Sequence, residues 1–149
     1  MSMQDPRPDQ PHEPLTVTDA LAQISFEVMS ILTALAAEEN LSLTLLRMLA
    51  ILRDRQPRMA ELARRLGTDR SSTTGLISRA ESRGLVIRHP APTDGRSFTV
   101  SLTPQGMSFA TVLGDRAATR INSVLVNLHP SERDILTQLL TRALDSAEH

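Results

Sequence analysis

Residues 59–106 decide the fold of this chain, and they read MAELARRLGTDRSSTTGLISRAESRGLVIRHPAPTDGRSFTVSLTPQG. The first part of this segment has apolar residues at helical spacing and predicts two short helices, Met59–Leu66 and Arg70–Arg83. Gly67 ends the first helix, and Asp69 is placed to cap the second. Two helices joined by so tight a turn are typical of a helix-turn-helix.

A hairpin follows the two helices. The alternating runs Leu85–His89 and Ser97–Leu102 predict two antiparallel strands, and Gly84 fits the left-handed position just past the preceding helix. Prolines and the pair Asp94-Gly95, which is good turn chemistry, separate the two strands. Helix, turn, helix and hairpin in this order form a helix-turn-helix with a wing, a layout that reaches into duplex DNA.

Further helices are predicted on both sides of this segment, so the fold class is mainly α. Ser42 is placed to cap a helix, and Thr103 caps another that has Pro at its first position. The flanking helices are predicted at Val17–Glu39, at Leu43–Arg55, from Pro104 to about Leu128, and after a break at residues 129–131. We expect residues 1–14, which include four prolines, to form a disordered tail.

The first helix is apolar on two faces. Its two stripes are Ala20, Ile24, Val28, Ile31 and Leu35, and Ala22, Phe26, Met29 and Ala36. A helix of this kind usually packs against two surfaces at once. The two candidate surfaces are the chain's own domain for one face and a partner chain for the other.

The charge of the chain is unevenly distributed. The whole chain has a formal net charge of −1, which taken alone argues against a nucleic-acid binder. Residues 53–96, however, hold ten Arg against five acidic residues, a net charge of +5 where the helix-turn-helix is predicted. A polyanion responds to this local field rather than to the total charge. All sixteen basic residues are Arg, which suits bidentate contacts with DNA and is also explained by codon bias.

The composition excludes several classes of function. The chain has no cysteine, so disulfides, thiolate metal sites and thiol redox switches are ruled out, and its four histidines have no ligand spacing. No nucleophile–base pair, paired carboxylates or phosphate-cradling loop indicates an enzyme, and we expect no cofactor and no metal. No apolar run approaches the ~18 residues of a membrane span, and no signal peptide with a charged and then an apolar stretch opens the chain. We therefore expect a cytoplasmic protein without a membrane partner.

The second helix of the helix-turn-helix has two different sides. Helical periodicity places Thr73, Leu76, Ile77 and Ala80 on its buried side. The outer side carries small polar residues and one Arg, namely Ser71, Ser72, Thr74, Gly75, Ser78, Arg79 and Ser82. Such a slim face fits a major groove ~12 Å wide, although many helices have a solvated face of small polar residues.

The predicted wing carries Arg88 and Arg96. An Arg at the tip of a hairpin can enter a narrow minor groove, where the negative potential is strongest. Asp94 lies two residues before Arg96 and is placed to hold its guanidinium. The alternative is that Asp94-Gly95 only forms a favourable turn and that Arg96 is a solvated charge.

Three motifs in the hairpin carry a family resemblance. GLVIR at 84–88, D-x-R at 94–96 and V-S-L-T-x-x-G at 100–106 resemble the signature of the MarR family of winged-helix regulators. The resemblance extends from about Thr18 to Leu144 in the number and order of helices. It implies a homodimer joined through the first and last helices and bound to a pseudo-palindromic operator in double-stranded DNA. It also implies that the helix at residues 70–83 reads the major groove, and that Arg96, supported by Asp94, reaches the minor groove.

The resemblance further implies the division of the chain and a ligand. Residues of about 41–105 form the winged-helix DNA-binding lobe, and residues of about 15–40 and 106–149 form the dimerisation helices. Effectors of the family, often phenolic or lipophilic, bind between these two parts, so an apolar cleft is expected among the first, second and fifth helices. Gly75 departs from the family, which usually has a larger polar or basic residue there, and this weakens the prediction of base reading.

The sequence thus predicts a dimeric, sequence-specific DNA-binding transcriptional regulator, a repressor relieved by a small organic ligand. The alternative is a winged-helix module that docks on protein and has weak or lost DNA reading. The predicted DNA-binding residues are Arg58, Thr68, Arg70, Ser71, Ser72, Thr74, Gly75, Ser78, Arg79, Arg88, Asp94 and Arg96.

Overall fold

The computed structural model describes residues 13–91 and 94–147, with the side chains of residues 91–97 outside that description. These residues form six α-helices and one two-stranded sheet. The helices are α1 Val17–Glu38, α2 Leu43–Asp54, α3 Met59–Leu66, α4 Arg70–Ser82, α5 Pro104–Asn122 and α6 Pro130–Ala147. The strands β1 Val86–Ala91 and β2 Asp94–Leu102 form the hairpin between α4 and α5.

The predicted caps are confirmed, because each depends on a short-range hydrogen bond. The hydroxyl of Ser42 accepts from the backbone N–H of Leu45 at 3.1 Å, and Thr103 accepts from Gly106 at 2.9 Å. Gly67 and Gly84 both have positive φ, at 65° and 71°, and end α3 and α4 in the left-handed conformation. These local signals fix where the helices begin and end.

The predicted end of the fifth helix is wrong. The helix expected to continue to Leu128 ends at Asn122 and is followed by a 3₁₀ turn, Ser123–Leu125. The guanidinium of Arg133 donates to the carbonyl oxygens of Leu125 at 2.7 Å and Leu128 at 3.2 Å. These bonds satisfy carbonyls that a continuing helix would otherwise pair, so the chain turns early.

The strands are also longer than predicted toward the tip of the hairpin. Pro90 pairs with Phe98 inside the ladder, and the register shifts between Pro90 and Ala91. An isolated bridge between Arg58 and Thr99 lies on the other side of β2. Proline is tolerated here because β1 is an edge strand and has no further neighbour.

The hydrophobic core is formed by α2, α3, α4, the base of the hairpin and parts of α1 and α5. Met48, Leu62, Ile77 and Val100 are fully buried at its centre. Only Leu35 and Ala36 of α1 are buried, and α6 buries no residue. The core therefore fixes the helix-turn-helix, whereas most of α1 and all of α6 lie outside it. Of the predicted tail, only Glu13 and Pro14 lie among the described residues.

Candidate nucleic-acid interface

The turn before α4 is held by its own side chains. The carboxylate of Asp69 accepts hydrogen bonds from the backbone N–H of Ser72 at 2.7 Å and from its hydroxyl at 3.0 Å. These bonds, the backbone one first, lower the pKa of Asp69. The hydroxyls of Thr68 and Thr73 lie 2.8 Å apart. Thr68, a predicted DNA contact, is therefore half-buried and bonded within the turn that sets the angle between α3 and α4.

The predicted faces of α4 are confirmed. Thr73, Leu76, Ile77 and Ala80 are its four buried residues. Among the predicted DNA contacts on the other side, Arg70, Ser71, Ser72, Ser78 and Arg79 are exposed, and Thr74 and Gly75 are half-buried. The core thus anchors α4 on one side and leaves a narrow polar side open to solvent.

Gly75 leaves this face open at its middle. A Cβ added at Gly75 would have one neighbour within 4 Å, the Nη1 atom of Arg79 at 3.6 Å. Packing therefore does not require glycine at this position. The guanidinium of Arg79 instead lies back along the helix beside the missing side chain.

Arg88, a predicted DNA contact on the wing, also makes contacts within the protein. Its Nη2 atom donates to the hydroxyl of Ser78 at 2.8 Å, and its guanidinium carbon lies 5.0 Å from the centre of the Phe98 ring. Its Nε atom lies 3.1 Å from a carboxylate oxygen of Glu81, at an angle outside the range of a hydrogen bond. Arg88 thus joins β1 to α4 and β2.

Two further predicted contacts lie at the edges of the interface. Arg58 is exposed at the start of α3, and its backbone forms the bridge to Thr99 of the hairpin. Asp94 pairs through its backbone with Ala91 at the tip. The side chains of Asp94 and Arg96 lie outside the described residues, so their predicted roles remain predictions.

The motif L-T-x-x-G has a structural explanation at the base of the hairpin. The hydroxyl of Thr103 donates to the carbonyl of Gly84 at 2.6 Å and accepts from the backbone N–H of Gly106. The backbone N–H of Thr103 donates to the carbonyl of Leu85 at 3.0 Å. A Cβ at Gly106 would overlap that carbonyl oxygen and lie 2.8 Å from its carbon. Only glycine allows α5 to start so close to the end of α4.

The other end of α4 is attached to the end of α1. The guanidinium of Arg83 donates to the carbonyl oxygens of Glu39 at 3.2 Å and Asn40 at 3.4 Å. Arg116 and Arg120 of α5 pair with the carboxylate of Glu38, at 2.6 Å and 2.8 Å, and Arg116 also pairs with Glu39. The end of α1 is therefore held by an arginine just past α4 and by two arginines of α5, contacts that helical periodicity does not reveal.

A cavity of about 380 Å³ lies where the apolar cleft was expected, among α1, α2 and α5. Its lining is mostly aliphatic and includes Met29, Leu32, Leu46, Leu49, Leu113 and Ala117. Two cations, Arg47 and Arg53, also line it, and sequence reasoning identified neither of them. Periodicity marks apolar faces but does not show which exposed Arg folds back over a cavity.

Arg53 is oriented by its neighbour. Its Nε and Nη2 atoms donate to the carboxylate of Asp54 at 3.0 Å and 3.3 Å, which raises the pKa of Arg53 and lowers that of Asp54. The remaining Nη1 atom lies against Gly114 of α5, where a Cβ would collide with it. Within residues 13–91 and 94–147, no group of three His, Cys, Asp or Glu is placed to hold a metal.

A helix-turn-helix with an open polar face on its second helix, followed by a β-hairpin, defines a winged-helix DNA-binding protein. Residues 22–97, about half of the chain, match the MarR family. The chain belongs to this family of transcriptional regulators, and the resemblance noted in the sequence is confirmed.

Two curated relatives are named as helix-turn-helix (HTH) transcriptional regulators. The chain is 30% identical over 94 residues to the uncharacterised HTH-type transcriptional regulator YfiV of Bacillus subtilis, a match that covers 61% of this chain and 59% of YfiV. It is 30% identical over 102 residues to the HTH-type transcriptional repressor NicR of Pseudomonas putida, covering 68% of this chain and 65% of NicR. The chain therefore spans less than two thirds of each relative.

Solved structures share the fold over most of its length. Wild-type MarR from E. coli in its apo form superimposes with a TM-score of 0.75 at 22% identity, covering 89% of this chain and 98% of MarR. NadR in complex with 4-hydroxyphenylacetate has a TM-score of 0.72 at 22% identity, covering 96% and 97% of the two chains. The repressor CouR, bound to a 23-mer DNA duplex, has a TM-score of 0.70 at 25% identity, covering 87% and 92%.

Proposed function

We propose that this chain is a cytoplasmic, homodimeric repressor that binds a pseudo-palindromic operator and is released by a small organic ligand. The observation that carries the proposal is the outer side of α4, where exposed hydroxyls and Arg79 form a slim face within the positively charged segment. Helices of this kind enter the major groove of duplex DNA. CouR, a relative in fold, is a repressor bound to DNA.

The proposed dimer is supported by apolar surface that one copy leaves uncovered. Phe26 of α1 is 76% exposed, and Leu21, Ile24 and Met29 of the same helix are also exposed. On α6 the exposed apolar residues are Ile135, Leu139, Leu140 and Leu144. Large apolar side chains exposed in such numbers on two helices are typical of an interaction site. A second copy of the chain would cover both helices at once.

The hydropathy of α1 fits a second interpretation, a membrane span. Val17–Glu38 has the length and mean hydropathy of a span, and 11% of its most apolar window is buried. Asp19 and Glu27 are exposed on this helix, and Glu38 at its end pairs with two arginines of α5. These charges favour a helix packed against protein in water.

The proposed ligand response is supported by the cavity among α1, α2 and α5. Its volume of about 380 Å³ is within the range of small-molecule sites. The cavity lies between the helices proposed to form the dimer and the core that holds α4, so a bound molecule would alter their packing. NadR, which shares the fold, binds 4-hydroxyphenylacetate.

The direct test is a fluorescence anisotropy titration of the full chain with the DNA upstream of its own gene and with a scrambled duplex. We expect the affinity to fall by orders of magnitude between about 50 and 200 mM salt, and a footprint on the same DNA to show protection confined to a short two-fold site. Arg96→Ala is expected to weaken binding more than Arg7→Ala. Absence of duplex binding would overturn the proposal and favour a protein-interaction module.

A further inference from the structure

The hydroxyl of Ser78 is the one hydroxyl on the outer side of α4, among the described residues, that accepts a hydrogen bond from a charged donor. Nη2 of Arg88 lies 2.8 Å from its oxygen. A guanidinium carries only donors and stays protonated, so the direction of this hydrogen bond is fixed. The bond occupies a lone pair of Ser78 and leaves its proton available.

The neighbouring hydroxyls use their protons inside the protein. Thr74 donates to the carbonyl of Arg70 at 2.8 Å, and Ser82 donates to the carbonyl of Ser78 at 2.9 Å. Ser72 donates to the carboxylate of Asp69 at 3.0 Å. Ser71 is exposed without a hydrogen bond that would orient it. Ser78 is thus the exposed hydroxyl of α4 that combines an available proton with a restricted orientation.

Arg88 is itself held in place on several sides. Its guanidinium lies over the ring of Phe98, and a carboxylate oxygen of Glu81 lies 3.1 Å from its Nε atom. The Arg88 side chain is 31% exposed, and its Nε atom is buried. The contacts come from α4 and from β2, so the guanidinium of Arg88 is restrained next to Ser78.

We propose that Ser78 is a specificity-determining residue that donates its hydroxyl proton to an acceptor on a base edge in the major groove, and that Arg88 is the residue that positions it. The inference rests on the proposed DNA-binding function. Purine N7, guanine O6 and thymine O4 are acceptors in this groove, whereas cytosine presents its N4 amino group as a donor. An oriented donor at Ser78 therefore favours these three bases over cytosine at one operator position and at its symmetry mate.

Selection of binding sites from a randomised duplex tests this proposal on the full-length wild type and three variants. Ser78→Ala is expected to lower the preference at that one position by about fivefold, the size of one hydrogen bond. Thr111→Ala is the control, because it removes an exposed hydroxyl that is bonded within its own helix, α5, and lies outside α4, and it is expected to leave every preference unchanged. Arg88→Met keeps the apolar stem over Phe98 but removes the donors, and it is expected to reduce the same preference as Ser78→Ala.

A second measurement identifies the acceptor atom. Replacement of the preferred base by an analogue that lacks the acceptor, 7-deazapurine, or that has a weaker one, 4-thiothymine, is expected to weaken binding by the wild type and to have no further effect on Ser78→Ala. Should Arg88→Met fail to fold, Arg88→Lys serves instead, because a single ammonium cannot keep both the Ser78 and Glu81 contacts.

Four outcomes would overturn the proposal. Unchanged base preference in Ser78→Ala would exclude base reading by this residue. A uniform loss of affinity with a smaller salt slope would assign Ser78 to phosphate contact. Full preference retained in Arg88→Met would remove the positioning role. Absence of duplex binding by the wild type would overturn this inference together with the proposed function, whereas the first three outcomes leave that function standing.

Discussion

The guanidinium of Arg83, immediately after α4, donates a hydrogen bond of 3.2 Å to the main-chain carbonyl oxygen of Glu39, immediately after α1. A second bond reaches the carbonyl of Asn40, the described non-glycine residue with positive φ. The carbonyls at the end of a helix have no partners within it, so a side chain that binds them fixes where the helix ends. The proposed recognition helix is thereby attached to a proposed dimerisation helix.

Two arginines near the end of α4 are expected to have opposite roles. Arg83→Met removes the bonds to Glu39 and Asn40 and is expected to lower the free energy of unfolding by about 1–2 kcal/mol, with a small effect on DNA affinity. Arg79→Met alters an exposed guanidinium on the outer face, so we expect a stability change below about 0.5 kcal/mol and a clear loss of DNA affinity. Urea denaturation and anisotropy titrations measure both quantities. Equal stability losses in the two variants would contradict the role given to Arg83.

The same substitution at two glycines is expected to have opposite effects on stability. Gly106→Ala places a Cβ against the backbone of Leu85 and is expected to lower the free energy of unfolding by about 3 kcal/mol or to prevent folding. Gly75→Ala meets only Arg79 at 3.6 Å and removes a flexible residue from a helix, so we expect a gain of about 0.5–1 kcal/mol. Thermal and urea unfolding give both values. Destabilisation by Gly75→Ala would indicate a constraint at that position that packing does not explain.

The contrast between these glycines illustrates what the sequence predicts. Helix ends at Ser42, Gly67 and Thr103 depend on residues within a few positions and were predicted correctly. The early end of α5 was not, because it depends on Arg133, which reaches back from the next helix. The faces of α4 follow from periodicity alone. The engagement of Arg88 does not, because it requires the register of the hairpin against α4.

The acid sensitivity of the chain is expected to depend partly on Glu38. Hydrogen bonds and charge from Arg120 first, and then from Arg116, lower the pKa of Glu38 below its ordinary value of 4.5. A carboxylate whose pKa is lowered by folding contributes stability that is present above the unfolded value and is lost as the pH falls through the folded value. We therefore expect the melting temperature of the wild type to fall more than that of Glu38→Gln between neutral pH and about pH 3.5.

Asp54 and Asp69 also have lowered pKa values, and they titrate in both proteins. The difference between the two melting curves therefore isolates Glu38. Parallel loss of stability in wild type and Glu38→Gln over this range would show that the pairing with Arg116 and Arg120 contributes nothing to folding.

The proposed dimer is tested on α6. Leu140 is 43% exposed, and Leu140→Glu is expected to convert the dimer to monomer because it places a charge in an apolar interface. Ile87→Glu is the matched control, since Ile87 is 47% exposed on the hairpin. Sedimentation velocity over a range of concentrations measures the assembly state. A dimer that withstands Leu140→Glu would place the interface elsewhere.

The cations at the cavity are expected to select the ligand. Nη1 of Arg53 is not used by Asp54, so it is available to a carboxylate in the cavity. With 4-hydroxyphenylacetate as the probe and 4-methylphenol as its neutral counterpart, Arg53→Met is expected to weaken binding of the anion by about tenfold and of the phenol by less. Arg55→Met alters a neighbouring exposed arginine outside the cavity lining and serves as control. Calorimetric titration gives the affinities, and equal losses for both probes would exclude Arg53 as the anion partner.

The hydroxyl of Thr103 joins Gly84, which lies just past the end of α4, to the first turn of α5, through one donated and one accepted hydrogen bond. Because a single oxygen atom takes part in both bonds, the end of α4 and the start of α5 cannot move independently. A displacement of α5 by even one ångström at this point would break one of the bonds or move Gly84 by a similar distance. Any molecule that moves α5 away from α2 would therefore also displace the C-terminal end of α4, because the hydrogen bonds of Thr103 link the two helices.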